Sequence, residues 1–378
     1  MVTLRTFREN GRSVVLGKWT PDNAKSLLII WVIFTEKVPN LSEQPRMTSS
    51  LLRIPAAGYY LVQKLREQAY RVGALQSILP PVPVISVGNL LMGGSGKTPF
   101  VIYLAELLRR EGFKPAVVSR GYKGSNRKDF LVVGDGVSGD PIVDPSVSGD
   151  EPYLIAARLP QVPVIVGKRR IHPVRAAHTL FGVDAVILDD GFQHLPLDRG
   201  LDIVLMNGTE DHMFPFGSLR EPLSALKRAD IIMLSGIEYI PPRALPYTEQ
   251  SAVFHCSFES DILLTYEDTV SGSHFSGKEV VLMSAIAGPE RFRKSAEQLG
   301  CVVKDHVIFR DHHRPDNSQL EHVLNRAGES GVIMTEKDRV KLPLWFLQKA
   351  NVFALRLRTV VREEMQLISL LRRTITAT

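Results

Sequence analysis

Short apolar runs alternate with longer amphipathic stretches through the middle of this chain. Val84–Val87, Pro115–Ser119, Val162–Val166, Asp184–Asp189, Asp202–Met206 and Asp230–Leu234 are nearly continuous in apolar residues. That pattern predicts strands covered on both faces, as in a parallel sheet. Phe100–Glu111, Glu151–Leu159, Arg169–Phe181 and Leu219–Lys227 lie between several of them and predict the covering helices. Past about Ile240 the texture changes, and Pro241, Pro242 and Pro246 mark a linker. Val253–Phe258 and Ile262–Thr265 then predict two strands joined by a tight turn. Strand-like Val280–Ala285, Val302–Phe309, Val332–Thr335 and Val352–Leu357, with helix-like Pro289–Leu299 and Asn317–Arg326, predict a second α/β unit.

Upstream of this, Leu51–Leu79 predicts a helix in which Leu61, Leu65 and Val72 share a face, flanked by Lys64 and Arg71, with rings at Tyr59, Tyr60 and Tyr70. Two readings stand: an interfacial helix on an anionic membrane, or an amphipathic helix packed on the next domain, since Arg66 and Glu67 interrupt the face. Residues 1–46 show no sustained period and predict an appendage or a poorly ordered stretch, with Met47 a candidate second start. The expected organisation is 1–46 extension, 47–80 amphipathic helix, 81–240 nucleotide-binding domain and 241–378 C-terminal α/β domain. The fold class is α/β: a mostly parallel sheet of the phosphate-loop type with helices on both faces, a smaller second α/β domain and the N-terminal helix.

Composition narrows the function. At 378 residues with 44% hydrophobic and 23% charged, the chain can bury a large core. A net charge of +6 suits an anionic ligand or membrane surface and is too small to argue for nucleic acid by itself. Two cysteines, Cys256 and Cys301, form no CxxC pair, which favours a reducing compartment. Leu27–Phe34 is too short to span a bilayer.

The chemistry centres on PVISVGNLLMGGSGKTPF, residues 83–100. A strand, a glycine turn (Gly93, Gly94, Ser95, Gly96) and a helix start are the setting a phosphate loop requires, with Lys97 reaching β/γ-phosphates and Thr98 holding Mg²⁺. Leu91 stands where the usual pattern has its first glycine, so a plain Gly-rich turn is the alternative. Asp189 and Asp190 end a buried strand, as the acidic edge that holds Mg²⁺ does; Gln193 and His194 follow at the same edge. Asp150 opens a helix and is either its cap or a general base for an attacking hydroxyl; Glu151 is a candidate metal contact. In Phe309–His313, one histidine orients a carboxylate across a cleft, or the segment is a solvated turn. Thr335-Glu336-Lys337-Asp338 lacks the residue between Lys and Asp that a guanine-reading motif needs, which favours adenine. Arg120, Tyr122, Arg170 and Arg220 lie near strand ends; as a set they imply an anionic acceptor.

Together VGNLLMGGSGKTP, SRGYKG, SGDEP, VGKRR, ILDDGFQH, FGSLREP, FRDHH and MTEKD, in this order, resemble the tetraacyldisaccharide 4'-kinases, the lipid A kinases of Gram-negative bacteria. The resemblance runs from about Leu51 to the C-terminus, and that family's phosphate loop also lacks the first glycine. It implies ATP and Mg²⁺ as cofactors and the 4'-hydroxyl of tetraacyldisaccharide 1-phosphate, the lipid A precursor, as acceptor. It also implies peripheral or monotopic attachment at the cytoplasmic face of the inner membrane, with no obligate protein partner. By motif, Asp150 is implied as base with His312 its dyad partner, Lys97 and Thr98 as the phosphate-loop pair, and Asp189, Asp190, Gln193 and His194 as the metal and nucleotide edge. Arg170 and Arg220 are implied as headgroup contacts. Two rivals are a metal-delivery GTPase, which needs guanine selectivity, and a non-catalytic membrane adaptor, which needs no base.

Overall fold

A computed structural model describes residues 4–9, 12–17, 50–208, 212–215 and 217–377. The chain forms two compact units, residues 1–77 and 78–378. In the first, β1 (Leu4–Glu9) and β2 (Arg12–Gly17) pair antiparallel, Glu9 opposite Arg12. The sequence holds Asn-Gly between them, the dipeptide that two-residue hairpins prefer, a signal the search for sustained period missed. The rest of the expected 1–46 extension lies outside the described residues. The predicted N-terminal helix spans Ser50–Arg71 and stops short of Leu79, because Gly73 takes φ +73°, a left-handed helix stop. Leu61 and Val62 on it are exposed, as is Val72 just past its end. No described helix is long and apolar enough to cross a membrane.

The second unit is built on one 13-stranded sheet in the order β13-β12-β14-β15-β10-β9-β8-β3-β7-β4-β6-β5, with β11 on β10. These strands are β3 (Val84–Gly88), β4 (Pro115–Ser119), β5 (Leu131–Asp135), β6 (Pro163–Val166), β7 (Ala185–Asp189), β8 (Leu201–Met206), β9 (Ile231–Ser235), β10 (Ala252–Leu264), β11 (Thr269–Ser271), β12 (Glu279–Ser284), β13 (Val302–Ile308), β14 (Gly331–Thr335) and β15 (Val352–Val361). Side chains alternate between faces along a strand, and here both faces are cores. Ile85, Val87, Val117, Ala185 and Ile187 pack into the cluster that includes the helix Lys97–Arg110 and the C-terminal helix Glu364–Thr376. Their neighbours Val84, Ala116, Val118, Val186 and Leu188 pack with the helix Ile171–Phe181 on the other face.

The sheet holds two parallel blocks. β6, β4, β7, β3, β8, β9 and β10 form the first; β15, β14, β12 and β13 form the second, joined antiparallel at β10/β15. β10 is shared by halves. Ala252–Cys256 pairs with β9, and Cys256–Leu264 pairs with β15. Cys256 therefore meets both Ser235, where β9 ends, and Val361, where β15 ends. Opposed strand directions would set the two carboxyl edges at opposite ends of a flat sheet. The offset along β10 instead points them at each other across a crevice. Ligands in α/β sheets bind at carboxyl edges, so the loops of both blocks converge there.

Two expectations need correction. Glu259-Ser260-Asp261 is no turn between strands: β10 is continuous, and its register shifts between Glu259 and Ile262 as a bulge. Leu219–Lys227 is not helical throughout. Pro222 is extended and holds its predecessor out of the helical region, leaving a 3₁₀ helix over Leu223–Arg228.

Candidate active site

The helix Lys97–Arg110 starts after Gly96, whose φ of +83° is left-handed, and no side chain caps it. No acidic residue occupies its first turn either, so its N-terminal N–H groups and dipole are open to an anion. A Cβ at Gly96 would stand 2.1 Å from the Phe258 ring of β10, so the loop tolerates glycine alone there. Gly93 is also left-handed, at φ +103°. Lys97 Nζ donates to Asn89 Oδ1 at 3.0 Å and lies 3.4 Å from Asp190 Oδ1. Gln193 Nε2 donates to the Asn89 carbonyl at 2.9 Å, which ties the Gln193–His194 turn to the same loop.

Asp189 and Asp190 sit at the end of β7, next to β3. Asp189 is buried and accepts from Ser119 Oγ at 2.9 Å. Burial, with Glu151 and Asp190 nearby, pushes its carboxyl up to about 7. Asp190 adopts φ +54° and accepts from Arg220 Nη1 at 2.7 Å. Burial alone would raise Asp190, but Lys97 and Arg220 outweigh it and hold the carboxyl below its ordinary range. The two carboxylates offer the oxygen ligands a hard divalent cation prefers, and a cation would relieve the desolvation of Asp189, but among the described residues no three acidic or histidine side chains are gathered as a ready-made metal site.

Asp150 is not a cap. The N-cap of the helix Asp150–Arg158 is Gly149, at φ +94°. A Cβ there would stand 2.6 Å from the Tyr122 carbonyl, so Gly149 lets the 121–124 loop press on the helix start. The buried Asp150 carboxylate faces the second block instead. Oδ2 lies 3.0 Å from His312 Nδ1, and Oδ1 accepts from Arg314 at 3.2 Å. Burial would raise this carboxyl, yet His312, Lys341 and Arg314 together hold it below its ordinary range. His312 follows β13 and adopts φ +65°. Strained backbone at both Asp190 and His312 is typical of functional positions. His313 points elsewhere, to Gln319 at 2.9 Å, stacked on Phe309.

The tetrad Thr335–Asp338 fastens the crevice. Lys337 Nζ reaches Glu151 at 2.8 Å and His312 Nε2 at 3.4 Å. Glu336 binds Arg158 of the first block and Arg356 of β15, and buried Asp338 binds Lys341 at 2.8 Å. A continuous line of charge thus runs from Asp150 and Glu151 through Asp189 and Asp190 to Lys97.

Arg170 and Arg220 differ from a free headgroup-binding pair. Arg170 is 4% exposed and donates to the Gly167 and Lys168 carbonyls, both at 3.2 Å. Burial and Arg120 lower it to about 10. Arg120 and Tyr122 are exposed, and the Tyr122 ring meets the His312 ring edge-on at 5.9 Å. Thr98 is half-buried in the first helical turn. Sequence reasoning missed Asn89, Ser119, Phe258, Arg314 and Lys337 as partners. Asn89, Ser119 and Lys337 lay inside motifs already singled out but with no role of their own; Phe258 and Arg314 lay outside them and are brought to the site by the strand order.

The family model for tetraacyldisaccharide-1-P 4'-kinase, LpxK, matches residues 48–376. The chain belongs to this family. A tetraacyldisaccharide 4'-kinase from Desulfatibacillum aliphaticivorans is 34% identical over 331 residues, 83% of this chain and 89% of its own length. Another, from Anaeromyxobacter sp. strain K, is 37% identical over 307 residues, 77% of this chain and 80% of its own. The crystal structure of LpxK from Aquifex aeolicus in complex with ATP matches with a TM-score of 0.72 at 33% identity, covering 86% of this chain and 99% of that one. The kinase family match begins just past the 1–46 stretch, in line with a resemblance that starts near Leu51.

Proposed function

We propose that this chain is an ATP-dependent kinase that moves the γ-phosphate to the 4'-hydroxyl of tetraacyldisaccharide 1-phosphate in lipid A biosynthesis. The observation that carries this is the meeting, in one crevice, of an uncapped phosphate loop from the first block and an Asp150–His312 pair that spans both. The phosphate loop and Lys97 hold the triphosphate. The acceptor hydroxyl lies against Asp150, and its oxygen forms the new bond to phosphorus as the bond to the β-phosphate oxygen breaks. ADP leaves, and Asp150 takes the hydroxyl proton. A carboxylate held low is a weak base, but a loose phosphoryl transition state asks chiefly for orientation and late proton acceptance. His312 and Arg314 fix the carboxylate for that task.

Thr98, Asp189, Asp190 and Glu151 would hold Mg²⁺, which when bound supplies positive charge to the phosphate oxygens. Lys97 and Arg220, already on Asp190, keep that carboxylate ionised for it. Arg120 and Tyr122, exposed beside His312, are the side chains we assign to the acceptor; Arg170 shapes the floor beneath them. The two blocks act as lobes that close on the nucleotide.

The acceptor is a bilayer lipid, so the enzyme works at the membrane surface, on the cytoplasmic face of the inner membrane, through the exposed face of the helix Ser50–Arg71. Burying a Leu or Val side chain contributes about 1.5–3 kcal/mol. Leu61→Glu with Val62→Glu should therefore weaken vesicle binding by about a hundredfold or more in sedimentation. Unchanged sedimentation would assign this helix to packing alone.

The direct test of the reaction is incubation with γ-labelled ATP, detergent-dispersed disaccharide lipid and Mg²⁺. Label in the lipid is expected. Free labelled phosphate with no lipid product would make the protein a nucleotide hydrolase.

A further inference from the structure

A cation reaches the phosphate loop from the far side of the crevice. Arg291 lies in the first turn of the helix Pro289–Gln298, which follows β12 at the carboxyl edge of the second block. Its Nη1 donates to the Gly94 carbonyl at 2.9 Å. Ala287, four residues upstream, lies near the loop as well: a Cβ built on Gly93 would stand 3.9 Å from Ala287 Cβ. The second block therefore touches the cradle at Gly94 and passes near Gly93.

The setting of this arginine differs from its neighbours. Arg220 is bonded to Asp190, Arg314 to Asp150, and Arg158 and Arg356 to Glu336. Each of those cations faces a carboxylate. Arg291 is exposed, and its bond goes to a neutral carbonyl. A guanidinium carries five N–H donors in a planar fork, so that bond leaves most of the fork and all of its charge available at the rim of an anion site. The fork matches phosphate oxygens in pairs, which a lysine does not do.

We infer that Arg291 is a phosphate-binding residue that the second block supplies in cis. With nucleotide in the cradle, its guanidinium binds the terminal phosphates and stabilises the charge spread over the γ-phosphoryl group during transfer. The first block alone then presents an incomplete positive site, and seating of the second block completes it. This rests on the kinase reading above.

The alternative is a latch, in which Arg291 only fastens the loop to the second block. A latch shapes the cradle for every nucleotide equally; a residue on the terminal phosphates distinguishes ATP from ADP. The experiment compares the full-length protein with Arg291→Ala and Arg291→Lys. ATP and ADP binding are measured by calorimetry with Mg²⁺, and lipid phosphorylation is followed under steady state. The expected result is ATP binding weakened about tenfold by Arg291→Ala, ADP binding changed by less than about threefold, and kcat lowered by about 10²–10³. Arg291→Lys, which keeps the charge and the reach, should recover part of both losses. Equal weakening of ATP and ADP, or a kcat at the native level in Arg291→Ala, would overturn the assignment. Should Arg291→Ala not fold, Arg291→Lys still decides: native kinetics and a native ATP-to-ADP ratio would refute the need for a bidentate fork. A native protein that binds ATP yet labels no lipid sinks the kinase reading instead, and the ATP-to-ADP comparison still judges Arg291.

Discussion

Asp150→Asn lowers kcat for lipid phosphorylation by about 10²–10⁴ and leaves ATP binding within a few-fold of the native protein. Asparagine keeps the shape of the side chain and a hydrogen-bond acceptor for Arg314, so the crevice stays assembled. It cannot take a proton from the acceptor hydroxyl. It also presents its amide to a histidine nitrogen that now meets a carboxylate 3.0 Å away. Steady-state kinetics with calorimetric ATP titration checks both halves of the expectation. His312→Asn should cost less, because His312 acts through Asp150. The double variant should fall little below Asp150→Asn alone, since residues that work as a unit are not additive. Native turnover in Asp150→Asn would remove this residue from the chemistry.

Asp189→Asn silences transfer and stabilises the metal-free protein. Burial and the neighbouring Glu151 and Asp190 raise the Asp189 carboxyl to about 7, from an ordinary value of 3.8. Between those two values the folded chain holds a proton that the unfolded chain has released. Stability of the metal-free protein therefore falls as pH rises from about 4 to 7, and the loss is complete above 7. The variant lacks that slope. At pH 8 in a chelator it should gain on the order of a few kcal/mol over the native protein. Mg²⁺ requires the ionised carboxylate, so its affinity for the native protein should climb through pH 7, and added Mg²⁺ should raise the melting temperature of the native protein alone. Thermal melts at pH 5.5 and pH 8, with and without Mg²⁺, read all of this. The same pH dependence in both proteins would mean that Asp189 is not the strained carboxylate.

Much of the site was legible because its parts are contiguous. A glycine loop with Lys97 and Thr98, an acidic strand end at Asp189 and Asp190, and an acidic helix start at Asp150 are local patterns with local physics. The parallel strands of the first block were legible for the same reason: buried on both faces, they are continuous in apolar residues. What the sequence hides is set by strand order. Arg314 meets Asp150 across 164 positions, and Lys337 meets Glu151 across 186. No spacing rule reaches that far.

The misses have separate causes. Glu259-Ser260-Asp261 is polar enough to suggest a turn, yet β10 carries it as a bulge because β15 pairs on both sides of it, at Glu259 and again at Ile262. The continuity of β10 through this segment keeps β15 in line with Cys256, where the two carboxyl edges face one another. β5 escaped notice as a short edge strand interrupted by Gly134. The C-terminal helix was within reach: Leu367, Ile368, Leu371 and Ile375 form a buried stripe at helical spacing. Asp150 could be placed at a helix start from sequence, but not freed from a capping role. That required seeing Gly149 at the N-cap and His312 opposite.

The most direct measurement is a crystal structure of the protein with a non-hydrolysable ATP analogue, Mg²⁺ and the disaccharide lipid. The account predicts the analogue's terminal phosphate between Lys97 and the Asp150–His312 pair, with the acceptor's 4'-hydroxyl about 2.6–3.2 Å from an Asp150 oxygen. An acceptor hydroxyl bound away from Asp150, with that carboxylate still committed to His312 and Arg314 alone, would contradict it.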